Sequence, residues 1–145
     1  MEERMNQLQV RLLTDTAQMP MKAHETDAGF DIFADETVTI KSGETKLVST
    51  GIGLAIPEGY YGRLKGRSGL TSRSSLRVQE GTIDSDYRGE VFVICEANAL
   101  GDMTIEQGDK FAQLIIQPLP PIKAVEVKEL DSTERGEGGF GSTGI

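Results

Sequence analysis

The apolar residues of this chain come in short, β-branched runs cut apart at brief intervals by glycine or proline, and no stretch repeats them at the helical spacing of about 3.6 residues. That punctuation dictates strands. The series opens on the alternation Leu8, Val10, Leu12. Lys41-Ser42-Gly43-Glu44 then separates Thr37–Ile40 from Lys46–Val48, Pro57-Glu58-Gly59 separates Gly51–Ile56 from Tyr60–Gly62, and Gln107-Gly108-Asp109 separates Met103–Ile105 from Phe111–Gln117. Each of the three reads as a hairpin connection, because glycine and proline supply the dihedrals a tight reversal needs. Pro118, Pro120 and Pro121 interrupt pairing, and a last strand is expected over Ala124–Val127. The helical signal is confined to a short turn around Ser68–Leu76. An all-β fold, barrel or sandwich, follows. After Leu130 the apolar residues nearly vanish, which divides the chain into a β domain over 1–130 and an arm over 131–145.

With 145 residues there is room for one core and not for two ordinary domains. Its 15 basic residues against 23 acidic ones give a net charge of -8, which argues against a nucleic-acid partner and leaves room for a small phosphorylated ligand met by a few local cations. Cys95 is the lone cysteine, so no internal disulfide or cysteine-based zinc site can form. It lies in Val91-Phe92-Val93-Ile94-Cys95 and reads as a buried strand residue. His24 is the lone histidine and reads as a loop residue. No apolar stretch reaches the ~18 residues of a membrane span, and a soluble, cytoplasmic protein is expected.

Five polar clusters fall where such a fold places loops and strand ends. Asp27-Ala28-Gly29-Phe30-Asp31 sets two carboxylates around a glycine, as a turn would also do. Gly66-Arg67-Ser68-Gly69-Leu70-Thr71-Ser72-Arg73 gathers hydroxyls and guanidinium groups suited to phosphate, although Ser68 would equally serve as a helix cap. Gly81-Thr82-Ile83-Asp84-Ser85-Asp86-Tyr87-Arg88-Gly89 carries Asp84 beside apolar Ile83, where a hairpin would orient a partly desolvated general base, yet turns are rich in aspartate in any case. In Gly108-Asp109-Lys110-Phe111-Ala112-Gln113 the amide of Gln113 interrupts an apolar strand and needs partners, from ligand or backbone. The last cluster, Arg135-Gly136-Glu137-Gly138-Gly139-Phe140-Gly141-Ser142-Thr143-Gly144, contains G-x-G-x-x-G but lacks the following helix of a dinucleotide loop and the lysine of a Walker loop. What it retains is a cation, hydroxyls and accessible N–H groups able to close on phosphate with Phe140 as a flat lid; the bland alternative is a disordered terminus.

Taken together and in this order, DAGFDIFAD, GRSGLTSR, GTIDSDYRGE, GDKFAQLII and RGEGGFGSTG resemble the five motifs of the homotrimeric deoxyuridine triphosphatase (dUTPase) family, over nearly the whole chain from Leu8 to Gly144. Gly66 stands where that family often has proline. The resemblance implies a jelly-roll-like β fold with a flexible glycine-rich arm, a homotrimer with sites shared between subunits, and Mg²⁺-dependent hydrolysis of dUTP to dUMP and pyrophosphate. It implies Asp84 as the base that activates water against the α-phosphorus and Tyr87 under the deoxyribose. The backbone of Gly81, Thr82 and Ile83 would read uracil. Arg67, Ser68, Gly69 and Gln113 would hold the triphosphate, closed over by Arg135, Gly138, Gly139, Phe140, Gly141, Ser142 and Thr143. The Mg²⁺ would have no direct protein ligand, Asp31 touching it through water. Two rivals stand beside it: a dCTP deaminase, which shares the fold and much of the phosphate site and for which Glu96 would be the catalytic carboxylate, and a dUTP-sensing regulator that engages a protein partner.

Overall fold

In the computed structural model, which describes residues 6–141, the short runs form ten strands and one short helix. They are β1 (Gln9–Leu12), β2 (Phe30–Phe33), β3 (Val38–Ile40), β4 (Thr45–Ala55), β5 (Tyr60–Lys65), α1 (Ser68–Arg73), β6 (Leu76–Val78), β7 (Gly81–Ile83), β8 (Glu90–Ala97), β9 (Met103–Ile105) and β10 (Lys110–Pro118). The ladders form one four-stranded sheet in the order β1-β4-β8-β6, a second in the order β2-β10-β5-β7, and a two-stranded β3-β9 ribbon, all antiparallel. The architecture is all-β, and its ladders are open rather than closed into a barrel among the described residues.

Period-two alternation explains which face each strand buries. In β8 the side chains of Val91, Val93, Cys95 and Ala97 point inward while Phe92 and Glu96 stay exposed. In β5, Gly62 and Leu64 are buried between half-buried neighbours. Val48, Ile52 and Leu54 from the first sheet meet Ile32, Leu64, Phe111 and Leu114 from the second in one continuous core, closed at the side by Ile40 and Ile105 of the ribbon.

The three expected turns form, but none makes a hairpin. Glu44 N–H reaches Lys41 O at 2.8 Å, Tyr60 N–H reaches Pro57 O at 3.1 Å and Asp109 N–H reaches Glu106 O at 2.9 Å. Gly43, Gly59 and Gly108 take φ of 84°, 90° and 90° within them, where a Cβ would be strained. Each turn nevertheless carries the chain from one sheet to another, β3 to β4, β4 to β5 and β9 to β10. The Asp84–Gly89 turn behaves likewise, since β7 pairs with β5 and β8 with β4 and β6. A turn fixes only the reversal of four residues; the partner is chosen by which faces must be buried against each other.

Two further expectations are corrected. Ser68 is not the cap of α1: Arg67 holds that position, with no side-chain capping bond. No strand forms over Ala124–Val127, where every residue from Leu119 to Glu137 is exposed and no described strand pairs with the segment. Among the described residues, Leu119 N–H to Gly59 O, 2.8 Å, is the last backbone bond joining this tail to the rest of the domain. No described helix is long and apolar enough to cross a membrane.

Candidate functional site

The centre of β10 brings three of the five clusters together. Gln113 lies in register with Asp31 of β2 on one side and with Lys65 of β5, the residue before Gly66, on the other. Its side-chain Nε2 donates to Gly66 O at 2.9 Å, so the backbone partner that the amide requires is in the GRSG loop. A Cβ built on Gly29 would lie only 2.6 Å from Gln113 Oε1, which makes glycine the residue that lets the first cluster approach this closely.

Charge gathers at the same place. The half-buried Asp31 carboxylate faces Arg67 Nε at 3.4 Å and Lys110 Nζ at 3.8 Å, and Arg67 Nη1 also donates to Lys110 O at 3.1 Å. Two cations therefore flank the Asp31 carboxylate beside an open groove lined by Arg67, Leu70, Asp109 and Lys110, so both basic groups are presented at its edge, with Asp109 as a second carboxylate. Ser68 and Gly69 stand exposed in the first turn of α1, and Gly69 O accepts from Ser72 Oγ and Arg73 Nε. Lys110 is a residue the sequence does not single out; its position beside the tight turn in GDKFAQ is the signal that could have found it. Asp27, by contrast, serves its own loop, accepting from His24 N–H at 2.9 Å.

Asp84 does not join this cluster within the chain. Gly81 sits opposite Leu64, close to the Gln113 level, but Ile83 is opposite Gly62 and Asp84 runs on past it. From Lys65 to that level is roughly 14 Å along β5, and two strand spacings add roughly 10 Å sideways, so about 17 Å separates the Gln113 and Asp84 backbones. Asp84 is exposed in the single chain, and the turn it opens joins two sheets rather than a hairpin. Thr82 is exposed and Ile83 buried on β7, which is an edge strand and so leaves a row of N–H and C=O groups free. Tyr87 is exposed along its ring, with Oη donating to Glu90 O at 2.8 Å.

Residues 133–138 hydrogen-bond among themselves. Arg135 Nε donates to Gly138 O at 2.6 Å, Gly138 N–H returns to Arg135 O at 3.3 Å, and Gly136 and Gly141 take φ of 60° and 92°. Gly138 and Gly139 are half-buried while Phe140, at φ 41°, presents its ring wholly to solvent. Ser142 and Thr143 lie outside the described residues. Glu96, on the outer face of the first sheet opposite Thr45 and Arg77, belongs to the other sheet from the Asp31–Arg67–Gln113 cluster. Cys95 is fully buried, and desolvation pushes its thiol up to about 12, so it carries no nucleophilic role.

Comparison with known proteins places this arrangement. The pattern that defines the dUTPase family matches residues 15–144. The deoxyuridine 5′-triphosphate nucleotidohydrolase of Clostridium acetobutylicum is 44% identical over 140 residues, covering 95% of this chain and 97% of that protein. Its counterpart in Paramecium bursaria Chlorella virus 1 is 43% identical over 141 residues, covering 97% and 100%. Among solved structures, Staphylococcus bacteriophage 80alpha dUTPase with dUPNHPP superposes with a TM-score of 0.91 at 37% identity, covering 97% of this chain and 99% of that one. A mutant dUTPase from phage phi11 of S. aureus, described with a coordinated structural Mg(II) ion, superposes with a TM-score of 0.82 at 36% identity, covering 86% and 98%. The chain belongs to the dUTPase family.

Proposed function

We propose that this protein hydrolyses dUTP to dUMP and pyrophosphate, at a site in which Asp84 of one subunit faces the Arg67–Gln113 cluster of another. The activity follows from membership of a family whose relatives carry it along their full length. The observation that supports a shared site is that the Gln113 and Asp84 backbones lie about 17 Å apart within one chain, with Asp84 exposed at the far end of β7 rather than beside the Arg67–Gln113 cluster. The outer face of the first sheet supports assembly, since Leu47 is 61% and Phe92 45% exposed on neighbouring strands beside Ile94. A homotrimer is the assembly proposed.

In this reading Arg67, Lys110, Ser68, the backbone of Gly69 and the Gln113 amide bind and orient the phosphates. Charge-assisted bonds do most of that work. Asp84 takes a proton from the water that attacks the α-phosphorus, and pyrophosphate leaves. The free edge of β7 at Gly81, Thr82 and Ile83 meets the uracil edge, a donor between two acceptors, which cytosine cannot present. Tyr87 packs beneath the sugar and closes the space a 2′-hydroxyl would need.

Mg²⁺ would neutralise phosphate charge. The described residues hold no group of three or more metal-ligating side chains, and Asp31 is already flanked by two cations. That donor set suits an ion held by the phosphates, with Asp31 touching its water. The arm, residues 131–145, closes over the nucleotide with Phe140 on the base and Arg135 turned from Gly138 O to the phosphates. The jelly-roll description accords with four turns that switch sheets, and a cytoplasmic location is part of the same proposal.

The test is product analysis with dUTP, dCTP, dTTP and UTP, alongside Asp84→Asn. Wild type should release dUMP and pyrophosphate from dUTP, and the variant should turn over at least about 10²-fold more slowly, the scale of a lost general base. Near-normal turnover by Asp84→Asn would remove Asp84 from the role. Deamination of dCTP would instead support the rival enzyme, although the placement of Glu96 disfavours it.

A further inference from the structure

The β4–β8 ladder is broken in one place. Register runs from Thr45↔Glu96 to Ser49↔Phe92 and resumes at Gly53↔Glu90, so β4 advances further than β8 across the gap and bulges. Gly51 within it has φ 66°, and a Cβ there would lie 2.5 Å from Asp35 Oδ2 and 2.8 Å from Ala17 Cβ, so glycine is required and the bulge has little freedom. Thr50, buried, ties the bulge to Val91 O through Oγ1.

Glu90, the first residue of β8, occupies the gap. One carboxylate oxygen, Oε2, accepts from both Ser49 Oγ and Gly51 N–H, the latter at 3.3 Å, so it meets a backbone amide inside the gap and holds the hydroxyl at its edge. The carbonyl of the same residue accepts the Tyr87 hydroxyl at 2.8 Å. Gly89 lies between them, and a Cβ there would be 2.5 Å from Tyr87 Oη and 2.7 Å from Cζ, so the phenol rests directly on the backbone that leads into Glu90.

We propose that Glu90 is a positioning residue for sugar selectivity: its carboxylate locks the start of β8 to the β4 bulge, and its carbonyl thereby fixes the Tyr87 ring against which a ribose would collide. The inference rests on the reading of Tyr87 as the residue beneath the deoxyribose. Glu90 itself touches no substrate. Its effect is on the ratio of dUTP to UTP turnover, because a shift of about 1 Å in a packing group can change rates by roughly 10²-fold.

The experiment measures kcat/KM for dUTP and for UTP in wild type, Glu90→Ala, Glu90→Gln, Ser49→Ala and Tyr87→Ala, each well below its own melting temperature. Glu90→Ala should lower the dUTP:UTP ratio roughly tenfold, the equivalent of about 1.4 kcal/mol. Glu90→Gln keeps an oxygen that can accept both bonds and should retain most of the ratio, which a loss of generic stability would not discriminate. If Glu90→Ala does not fold, Ser49→Ala removes one donor to the same oxygen and should lower the ratio in the same direction; an unchanged ratio overturns the proposal. So does a wild-type ratio in Glu90→Ala, or a Glu90→Gln as defective as Glu90→Ala, when Tyr87→Ala has lost selectivity. A Tyr87→Ala that keeps full selectivity overturns the underlying reading of Tyr87 and this inference with it.

Discussion

Gly29→Ala isolates the contact that joins the first and fourth clusters. Gly29 does not have positive φ, so alanine adds a Cβ without backbone strain, and the consequence is steric. That Cβ would meet Gln113 Oε1 at 2.6 Å, Gln113 Cβ at 3.3 Å and Gln113 Cδ at 3.4 Å. The amide must swing aside, because Gln113 Cβ is anchored on a strand paired on both edges. Swinging breaks the 2.9 Å bond from Nε2 to Gly66 O, worth about 0.5–1.5 kcal/mol, and a strained rotamer adds roughly 0.5–1.5 kcal/mol. The expected loss is therefore about 1–3 kcal/mol in urea unfolding, with kcat/KM for dUTP down roughly ten- to hundredfold as a phosphate donor is displaced. A double-mutant cycle with Gln113→Ala assigns the cause: once the amide is gone, Gly29→Ala should cost little further stability, giving a coupling of about 1 kcal/mol or more. Equal destabilisation in both backgrounds, or none in either, would refute the steric argument.

Truncation after Leu130 should leave the melting temperature nearly unchanged, because the arm's described side-chain bonds are internal, while kcat/KM falls at least about 10²-fold as a stacking aromatic worth roughly 1–3 kcal/mol and the phosphate contacts go together; an active truncate would make the arm idle. Phe92→Glu, on the exposed face of the first sheet, should shift sedimentation toward a smaller species and lower activity with it, whereas an unchanged assembly would place the interface elsewhere. Cys95 should resist thiol reagents in the native state and react at the unfolding rate, since burial raises its pKa to about 12; rapid native labelling would contradict that burial. Burial alone would raise the Asp35 carboxyl, but bonds from Thr14, Thr16 and Gln107 outweigh it and hold the pKa below the ordinary value. Its stabilising contribution is thus present above about pH 4 and lost as pH falls through the folded pKa, so the melting-temperature gap between wild type and Asp35→Asn should narrow below about pH 4. A constant gap would sink this assignment.

The sequence by itself determined the elements and the turns, because both are local. Alternation in Val91–Ala97 sets the buried face of a strand through its own pleat, and Gly43, Gly59 and Gly108 supply dihedrals that only a short-range reversal needs. It determined the chemistry of the five clusters too, since hydroxyls, amides and carboxylates are named by their letters. Pairing was not legible: every expected hairpin became a passage between sheets, because the partner of a strand depends on apolar faces contributed by distant residues such as Phe111 and Val48. Lys110 and Gly29 acquired meaning only when β10 lay between β2 and β5. The tertiary structure alone separated Asp84 from Gln113, because residue order along β7 fixes direction but only the β5 register fixes level. It was also the broken β4–β8 register that gave Glu90 its place: a bulge takes a backbone N–H out of the ladder, and a carboxylate remote in sequence satisfies it.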